Sequence, residues 1–190
     1  MTQAAAKPAP VNLIDSWMAD EKRVREVLES GIGCGTATPD LVAGKSGLEV
    51  MQAMLRGEVP SPPIAHTLDF MLIEVGAGTA VFQGTPGLNH YNPLGSVHGG
   101  WFATLLDSAL GCAVHTMMPP GRAYTTAELS VNLVRAITTK VARVRAEGRV
   151  IHCGRQLATA DARLVGPDGT LYAHATTTCL VFEIPVAARK

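Results

Sequence analysis

Between Asn92 and Asp107 the chain reads Asn-Pro-Leu-Gly-Ser-Val-His-Gly-Gly-Trp-Phe-Ala-Thr-Leu-Leu-Asp. From Val97 to Met118, Trp101, Phe102, Leu105, Leu106, Ala109, Leu110, Ala113, Val114 and Met117 recur at helical spacing, and Asp107 is the only formally charged residue among them. Burying an unpaired carboxylate is costly, so such a group is hydrogen-bonded, opens onto a cavity, or performs chemistry. A helix starting near Gly99 or Gly100 would leave its first amide N–H groups without intrahelical acceptors, at the positive end of the macrodipole, where glycine permits close approach. That arrangement forms an oxyanion hole: a carbonyl resting there is polarised, and the charge of its tetrahedral intermediate is stabilised. Asp107 follows Gly100 by seven positions, so it falls on the same helix face about 10 Å along the axis. His98 could serve as a base, but its place before a helix N-terminus disfavours the imidazolium. Asn92 offers both an amide donor and a carbonyl acceptor, which suits holding an attacking water or the histidine.

The elements that must position these groups are legible in outline. Residues 1–10 are rich in Ala and Pro and read as disordered. Asp15 to Leu28 sets Trp17, Met18, Val24, Val27 and Leu28 among charges, an amphipathic helix stopped at Gly31. Gly31 to Gly35 alternates glycines without a preceding strand or a following Lys-Ser/Thr, so it reads as a flexible connection rather than a phosphate loop. A short helix is expected over Gly47 to Leu55, then a strand over Ile64 to Val75, a Gly76-Ala77-Gly78 turn, and a strand over Thr79 to Gly84. Pro119-Pro120-Gly121 ends the central helix. Strands follow over Thr125–Val134, Lys140–Val150, Arg155–Val165 and Thr170–Ile184, the last two joined by a Pro167-Asp168-Gly169 hairpin turn.

The 190 residues, 47% of them hydrophobic, suffice for one sizeable core with an N-terminal extension. Lys+Arg and Asp+Glu are both 16, which gives no net electrostatic reason for a nucleic-acid or anionic-membrane partner. Cys34, Cys112, Cys153 and Cys179 lie far apart with no C-x-x-C pair and read as free thiols in a reducing compartment. His66, His90, His115 and His174 have no carboxylate or cysteine at ligand spacing, so no metal is expected. The first ten residues lack a basic region followed by an apolar one, and no uninterrupted 18-residue apolar segment exists; the expectation is a soluble, cytoplasmic protein without a resident cofactor.

The stretch from Asn92 to Asp107 resembles the PaaI-like branch of the hot-dog-fold acyl-CoA thioesterases, whose active site combines an Asn, a His-Gly-Gly six residues on, and an acid nine residues after the His. Here those are Asn92, His98-Gly99-Gly100 and Asp107. The resemblance runs from about Ser46 to Phe182 and includes Gly57-Glu58-Val59-Pro60, Thr126 to Asn132, and Gly154-Arg155. It implies an α+β hot-dog fold, an antiparallel sheet of about six strands curled around one long central helix, with residues 1–45 as an N-terminal helical extension and 46–190 as the hot-dog domain. It further implies hydrolysis of an acyl-CoA thioester at a site shared between two subunits of a homodimer, or of a dimer of dimers. In that family the acid acts as nucleophile or as base toward water, and the histidine orients. Thr126 stands where the family carries a Ser or Thr near the acid, with the neighbouring Thr125 as the alternative. The turn His152-Cys153-Gly154-Arg155 resembles the family's nucleotide-side loop, which makes Arg155, with Gly154 and His152, the expected contact for the phosphates of coenzyme A. Arg122, Arg143, Arg145 and Arg149 are weaker choices for that role.

Two readings compete with hydrolysis: a non-catalytic acyl-CoA-binding module, and a hot-dog hydratase or dehydratase. Retention of Asp107 argues against the first, and the second arranges its His and acid in a different motif. Trp101, Phe102, Met71 and Leu72 are possible walls of an acyl pocket, with nothing in the sequence to set the acyl group.

Overall fold

A computed structural model describes residues 12–184, so the stretch 1–10 lies outside the described residues. The N-terminal amphipathic segment forms α1 (Leu13–Ser30), followed by α2 (Pro39–Val42), α3 (Gly47–Leu55) and α4 (Pro63–Thr67). Ser46 and Glu49 close a reciprocal capping box at the start of α3, which fixes where that helix begins. Strands β1 (Phe70–Gly76) and β2 (Thr79–Gly84) pair through the glycine turn, with Gly78 at φ +75 where a side chain would be strained. The long apolar helix is α5 (Gly99–His115), and β3 (Arg122–Leu133), β4 (Val144–Cys153), β5 (Leu157–Val165) and β6 (Leu171–Glu183) complete the chain.

All six strands lie in one antiparallel sheet in the order β1-β2-β4-β5-β6-β3. One face wraps α5, whose Leu105, Leu106, Ala109, Leu110, Ala113 and Val114 are fully buried against the sheet. This is the hot-dog arrangement expected from the sequence, with helices preceding it.

Three expectations are corrected. The stretch Ile64 to Val75 is not one strand. Pro62-Pro63 starts a short helix, and Asp69 turns the chain at φ 48 before β1 begins at Phe70. Prolines favour a helix start, and an apolar run of this length carries no periodicity that separates its helical half from its extended half. The Gly31–Gly35 connection is pinned rather than loose: the Ile32 N–H donates to Gly57 O, Cys34 bridges Ser61, and the Gly35 N–H donates to Ser61 O. Finally, β4 begins at Val144 rather than Lys140, after a turn in which the Val141 N–H donates to Thr138 O, and it continues to Cys153.

Because strand side chains alternate, Phe70, Leu72 and Phe82 face α5 while Met71, Ile73 and Gln83 face the opposite side, where α1 lies. The buried stripe of α1 is Trp17, Glu21 and Val24, and Met18 is exposed. Burying Glu21 requires partners, and the sheet supplies them. Arg143 donates to both its oxygens, Gln83 Nε2 donates to it at 3.1 Å, and Arg25 donates from one turn along α1. Arg145 lies 4.5 Å over the Trp17 ring and donates to Asp20 at 2.8 Å and to Gln83 at 2.9 Å.

Burial raises the Glu21 carboxyl, but hydrogen bonds from Arg143 and Arg25 outweigh it and hold the group below its ordinary value; the hydrogen bond from Arg145 does the same for Asp20. A carboxylate depressed in the folded state adds stability above its unfolded pKa and loses it as pH falls through the folded value. Acidification below about pH 4 should therefore loosen α1 from the sheet before it affects α5. Hydrogen exchange at Val24 to Leu28 measures this, and Glu21→Gln should reduce the acid dependence. Identical pH profiles in the two proteins would show that these carboxylates do not hold the helix.

Candidate active site

The start of α5 is set by His98 at the N-cap. Its backbone is extended, its C=O accepts from Trp101 N–H at 3.0 Å, and its Nδ1 accepts from Gly100 N–H at 2.9 Å. An imidazole accepting through Nδ1 carries its proton on Nε2 when neutral, so this contact defines the tautomer. It also changes the expected oxyanion hole. The Gly100 amide is occupied by His98, and of the two glycines only Gly99 keeps an amide without a partner among the described residues. A side chain at Gly99 would stand 2.8 Å from Leu133 Cδ1 at the end of β3, so glycine keeps this corner open.

Asn92 is turned into its own loop. Its Oδ1 accepts from Leu94 N–H at 2.9 Å and Ser96 N–H at 3.3 Å, and its Nδ2 donates to Ser96 Oγ at 3.1 Å. In one chain it therefore shapes the turn that delivers His98, and it does not contact the histidine ring. The loop is further tied down by Val97 N–H to Ile137 O and His98 N–H to His90 O.

Asp107 is half-buried on the flank of α5 that faces β3, and Thr126 Oγ1 donates to its Oδ1 at 3.1 Å. The structure thus joins Asp107 with Thr126, the residue expected beside the acid. Eight residues separate Asp107 from Gly99, which places the carboxylate about 12 Å along the helix from the free amide. Within one chain the two groups therefore stand apart.

The third group lies past the C-terminal end of α5. Gly154 and Arg155 line a cleft with Met117, Met118, Pro119 and Arg122. An Arg122 Nη2 donates to the Arg155 carbonyl, while its Nε is buried without a partner among the described residues. Neither arginine enters an ion pair among the described residues, and Arg155, exposed beside Gly154, keeps its guanidinium without a carboxylate partner. His152 is exposed and lies over Gly154 without lining the cleft. Among the other arginines weighed for this role, Arg143 and Arg145 are committed to the α1 contact and Arg149 pairs with Asp161.

His90 is a positioning residue to which sequence reasoning assigns no role. It is 5% exposed, stacks on Trp101 at 5.4 Å, and accepts Gly87 N–H at Nδ1, so it locks the loop before His98 to the first turn of α5. Burial pushes its pKa down, with Asp69 opposing, so the ring is held neutral. A histidine two residues before the Asn is the available signal.

Among the described residues no helix is long and apolar enough to cross a membrane. The sequence matches the family model of the Thioesterase superfamily over residues 94–173, a span that contains His98, Gly99, Gly100, Asp107, Thr126, His152, Gly154 and Arg155 and stops two residues short of Asn92. No curated protein matches the chain. Among solved structures, a phenylacetic acid degradation-related protein from Ralstonia eutropha is 29% identical with a TM-score of 0.63, covering 69% of this chain and 98% of its own. A variant of the phenylacetic acid degradation protein PaaI from Thermus thermophilus is 27% identical with a TM-score of 0.56, covering 62% and 97%. A thioesterase from Haemophilus influenzae, 16% identical with a TM-score of 0.61 over 66% and 87%, shares the fold. His98-Gly99-Gly100 start the central helix, Asp107 sits on its flank, and the chain has the hot-dog fold of these structures, with residues 94–173 similar to the thioesterase superfamily.

Proposed function

We propose that the protein hydrolyses an acyl-CoA thioester to a free carboxylic acid and coenzyme A, at a site completed by a second copy of the chain. The observation that carries the reading is the separation of the half-sites: the Gly99 amide and the Asp107 carboxylate lie about two helical turns apart on one α5, too far for one carbonyl to meet both. Edge strand β3 pairs only with β6 and leaves twelve residues with an open hydrogen-bonding edge, beside which Asp107 and Thr126 sit. Pairing two β3 edges antiparallel would close that liability and bring the α5 N-terminus of one copy toward Asp107 of the other. A homodimer is the smallest active unit on this reading, with a dimer of dimers compatible with it.

In this site the substrate carbonyl accepts from Gly99 N–H at the positive end of α5, where the charge of the tetrahedral intermediate is stabilised. His98 holds the Gly100 amide and the helix start, and Asn92 holds the loop that presents His98. Asp107, oriented by Thr126, acts as nucleophile or as general base toward water. As base, Asp107 takes a proton from the water that attacks the carbonyl; as nucleophile, it forms a mixed anhydride that a water then cleaves. On either route the C–S bond breaks, the thiolate of coenzyme A takes up a proton and the carboxylic acid is released. Arg155 with Gly154, joined by Arg122, binds the nucleotide phosphates, and His152 flanks that loop. No cofactor beyond the substrate's own coenzyme A enters this chemistry.

The test is thiol release from a panel of acyl-CoAs, paired with the same acyl groups on pantetheine. Arg155→Ala should raise KM for acyl-CoA about tenfold with little change in kcat, because a phosphate contact remote from the reacting carbon binds ground and transition states alike. On the pantetheine thioesters the same variant should match the wild type. Equal losses on both substrates would remove the phosphate role, and tight binding without turnover on any acyl-CoA would favour a binding module.

A further inference from the structure

Beneath α1 lies a cavity of about 90 Å³ apart from the groups of the candidate active site, lined in part by Met71 and Leu72, two of the residues expected to wall an acyl pocket. Val24 and Leu28 from α1, Met54 from α3, Ala65 from α4, and Phe70 and Phe82 from the first two strands form its largely apolar wall. It sits at the β1 edge of the sheet, reaching both the side packed on α5 and the side packed on α1. Arg25, Ser61, His66 and Asp69 give it a polar rim, and over the apolar part the missing packing contacts are regained when an apolar group fills it.

Its position relative to the catalytic helix is informative. A surface cleft at the α5 N-terminus is lined by Leu68, His98, Gly100, Trp101 and Thr104. The wall between cleft and cavity is the α4–β1 junction: Leu68 lines the cleft, and the next residue, Asp69, lines the cavity. Trp101 Nε1 donates to Leu68 O at 2.8 Å, so this junction is anchored to the first turn of α5. Asp69, the one non-glycine residue at positive φ among the described residues, is held there by Arg25 of α1 at 2.9 Å and by Thr85 N–H on its carbonyl. Backbone in a sparsely populated region persists only where surrounding contacts enforce it. Leu68 itself is half-buried and can move by rotamer change alone.

We infer that this cavity receives the distal end of the substrate's acyl group, entering from the α5 cleft past Leu68, and that it selects a straight aliphatic chain over an aromatic ring. The inference rests on the thioesterase reading for the identity of the substrate. Size decides the class of chain. A cavity that binds benzene in another protein measures about 150 Å³, and 90 Å³ is smaller, which suits a few methylenes in single file better than a ring. Charge decides it too. Among the described residues the one arginine at the rim, Arg25, is already paired with Glu21 and Asp69, and His66 Nε2 is hydrogen-bonded to Ser61 Oγ, so a free carboxylate meets no uncommitted partner and a neutral chain is the fitting occupant. The N-terminal helix then forms one wall of the specificity pocket.

The experiment is calorimetric titration of the full chain with non-hydrolysable S-alkyl-coenzyme A thioethers of increasing length, and with an S-phenylalkyl analogue of matched carbon number. Affinity should rise about fourfold per methylene until the cavity is filled, then level off. The phenyl analogue should bind more weakly than the straight chain. Ala65→Leu fills the cavity from α4 and Leu28→Trp fills it from α1, and in either folded variant the gain should stop at a shorter chain. No gain with length in the wild type, an undiminished gain in both variants, or tighter binding of the phenyl analogue would each overturn the pocket. The binding series does not require turnover: a length-dependent gain with no thiol released from any acyl-CoA would refute the hydrolytic reading and leave the pocket standing.

Discussion

Asp107→Asn should lower kcat by about 10³-fold or more on the best acyl-CoA while leaving the melting temperature within a few degrees of the wild type. The substitution keeps the volume and the oxygen that accepts from Thr126, and it removes only the charge and basicity of the group next to the reacting carbon. The half-buried site on the α5 flank is open enough that the amide creates no unsatisfied core polar group. Mixing this variant with Gly99→Val, whose added side chain would crowd Leu133 and cover the free amide, separates the two half-sites. Each heterodimer then contains one intact site, so random exchange should restore about a quarter of wild-type activity from two nearly inactive proteins. Wild-type kcat in Asp107→Asn would remove the residue from the chemistry. No rescue after confirmed exchange would place both halves of the site in one chain.

Gly148→Ala should be among the most destabilising single-methyl changes in the molecule. Gly148 lies mid-way along β4, between Ala80 of β2 and Ala162 of β5, and faces the middle of α5. A Cβ built there stands 2.3 Å from the Ala109 carbonyl oxygen and 3.0 Å from the Leu110 nitrogen, both backbone atoms of a helix that cannot swing aside. Relief requires lifting α5 from the sheet, which opens voids around the fully buried Leu105, Leu106 and Leu110. A loss of about 3 kcal/mol, or about 10 °C in melting temperature for a chain of this size, is the expected result. Gly35→Ala is the control, since its Cβ would meet only Pro60 at an ordinary 3.7 Å. If both variants melt with the wild type, α5 does not approach the sheet this closely.

What can be read in advance follows from how local each signal is. The α5 helix, its glycine start and the lone acid are encoded within sixteen residues, and the helix begins at Gly99 as its composition demands. The Asp107–Thr126 contact spans nineteen residues and is legible only through a motif, since nothing in the periodicity of β3 marks Thr126 as the strand position that reaches the helix. Arg122 ranks low and His90 goes unassigned because an arginine at a strand start and a histidine in a loop look alike whether or not they are committed. Only the fold shows that Arg122 meets the Arg155 carbonyl and His90 stacks on Trp101. The two-amide oxyanion hole needs correction for a related reason. The backbone pattern predicts free donors, and the side chain at the N-cap decides which of them stays free. Ile64–Val75 misleads because the prolines and Asp69 divide an apolar run that has no period of its own.

The contact of α1 with the back of the sheet also sets an order of events as the chain matures. Helix α1 leaves the ribosome first, yet Gln83 is 62 residues further on than Glu21, and Arg143 and Arg145 are 122 and 125 residues further on than Glu21 and Asp20. Those two arginines project from β4 and the residue just before it, and β4 has its neighbours on both sides only after β2 and β5 have paired with it. Val24 can pack on Met71 and Ile73 once β1 is made, whereas Trp17 and Glu21 wait for Arg145 and Arg143 through most of synthesis. The polar half of the α1 contact is therefore completed late in the folding sequence. The cavity beneath α1 is walled by residues 24 to 82 alone, so its walls are all made before the strand that secures the far side of α1.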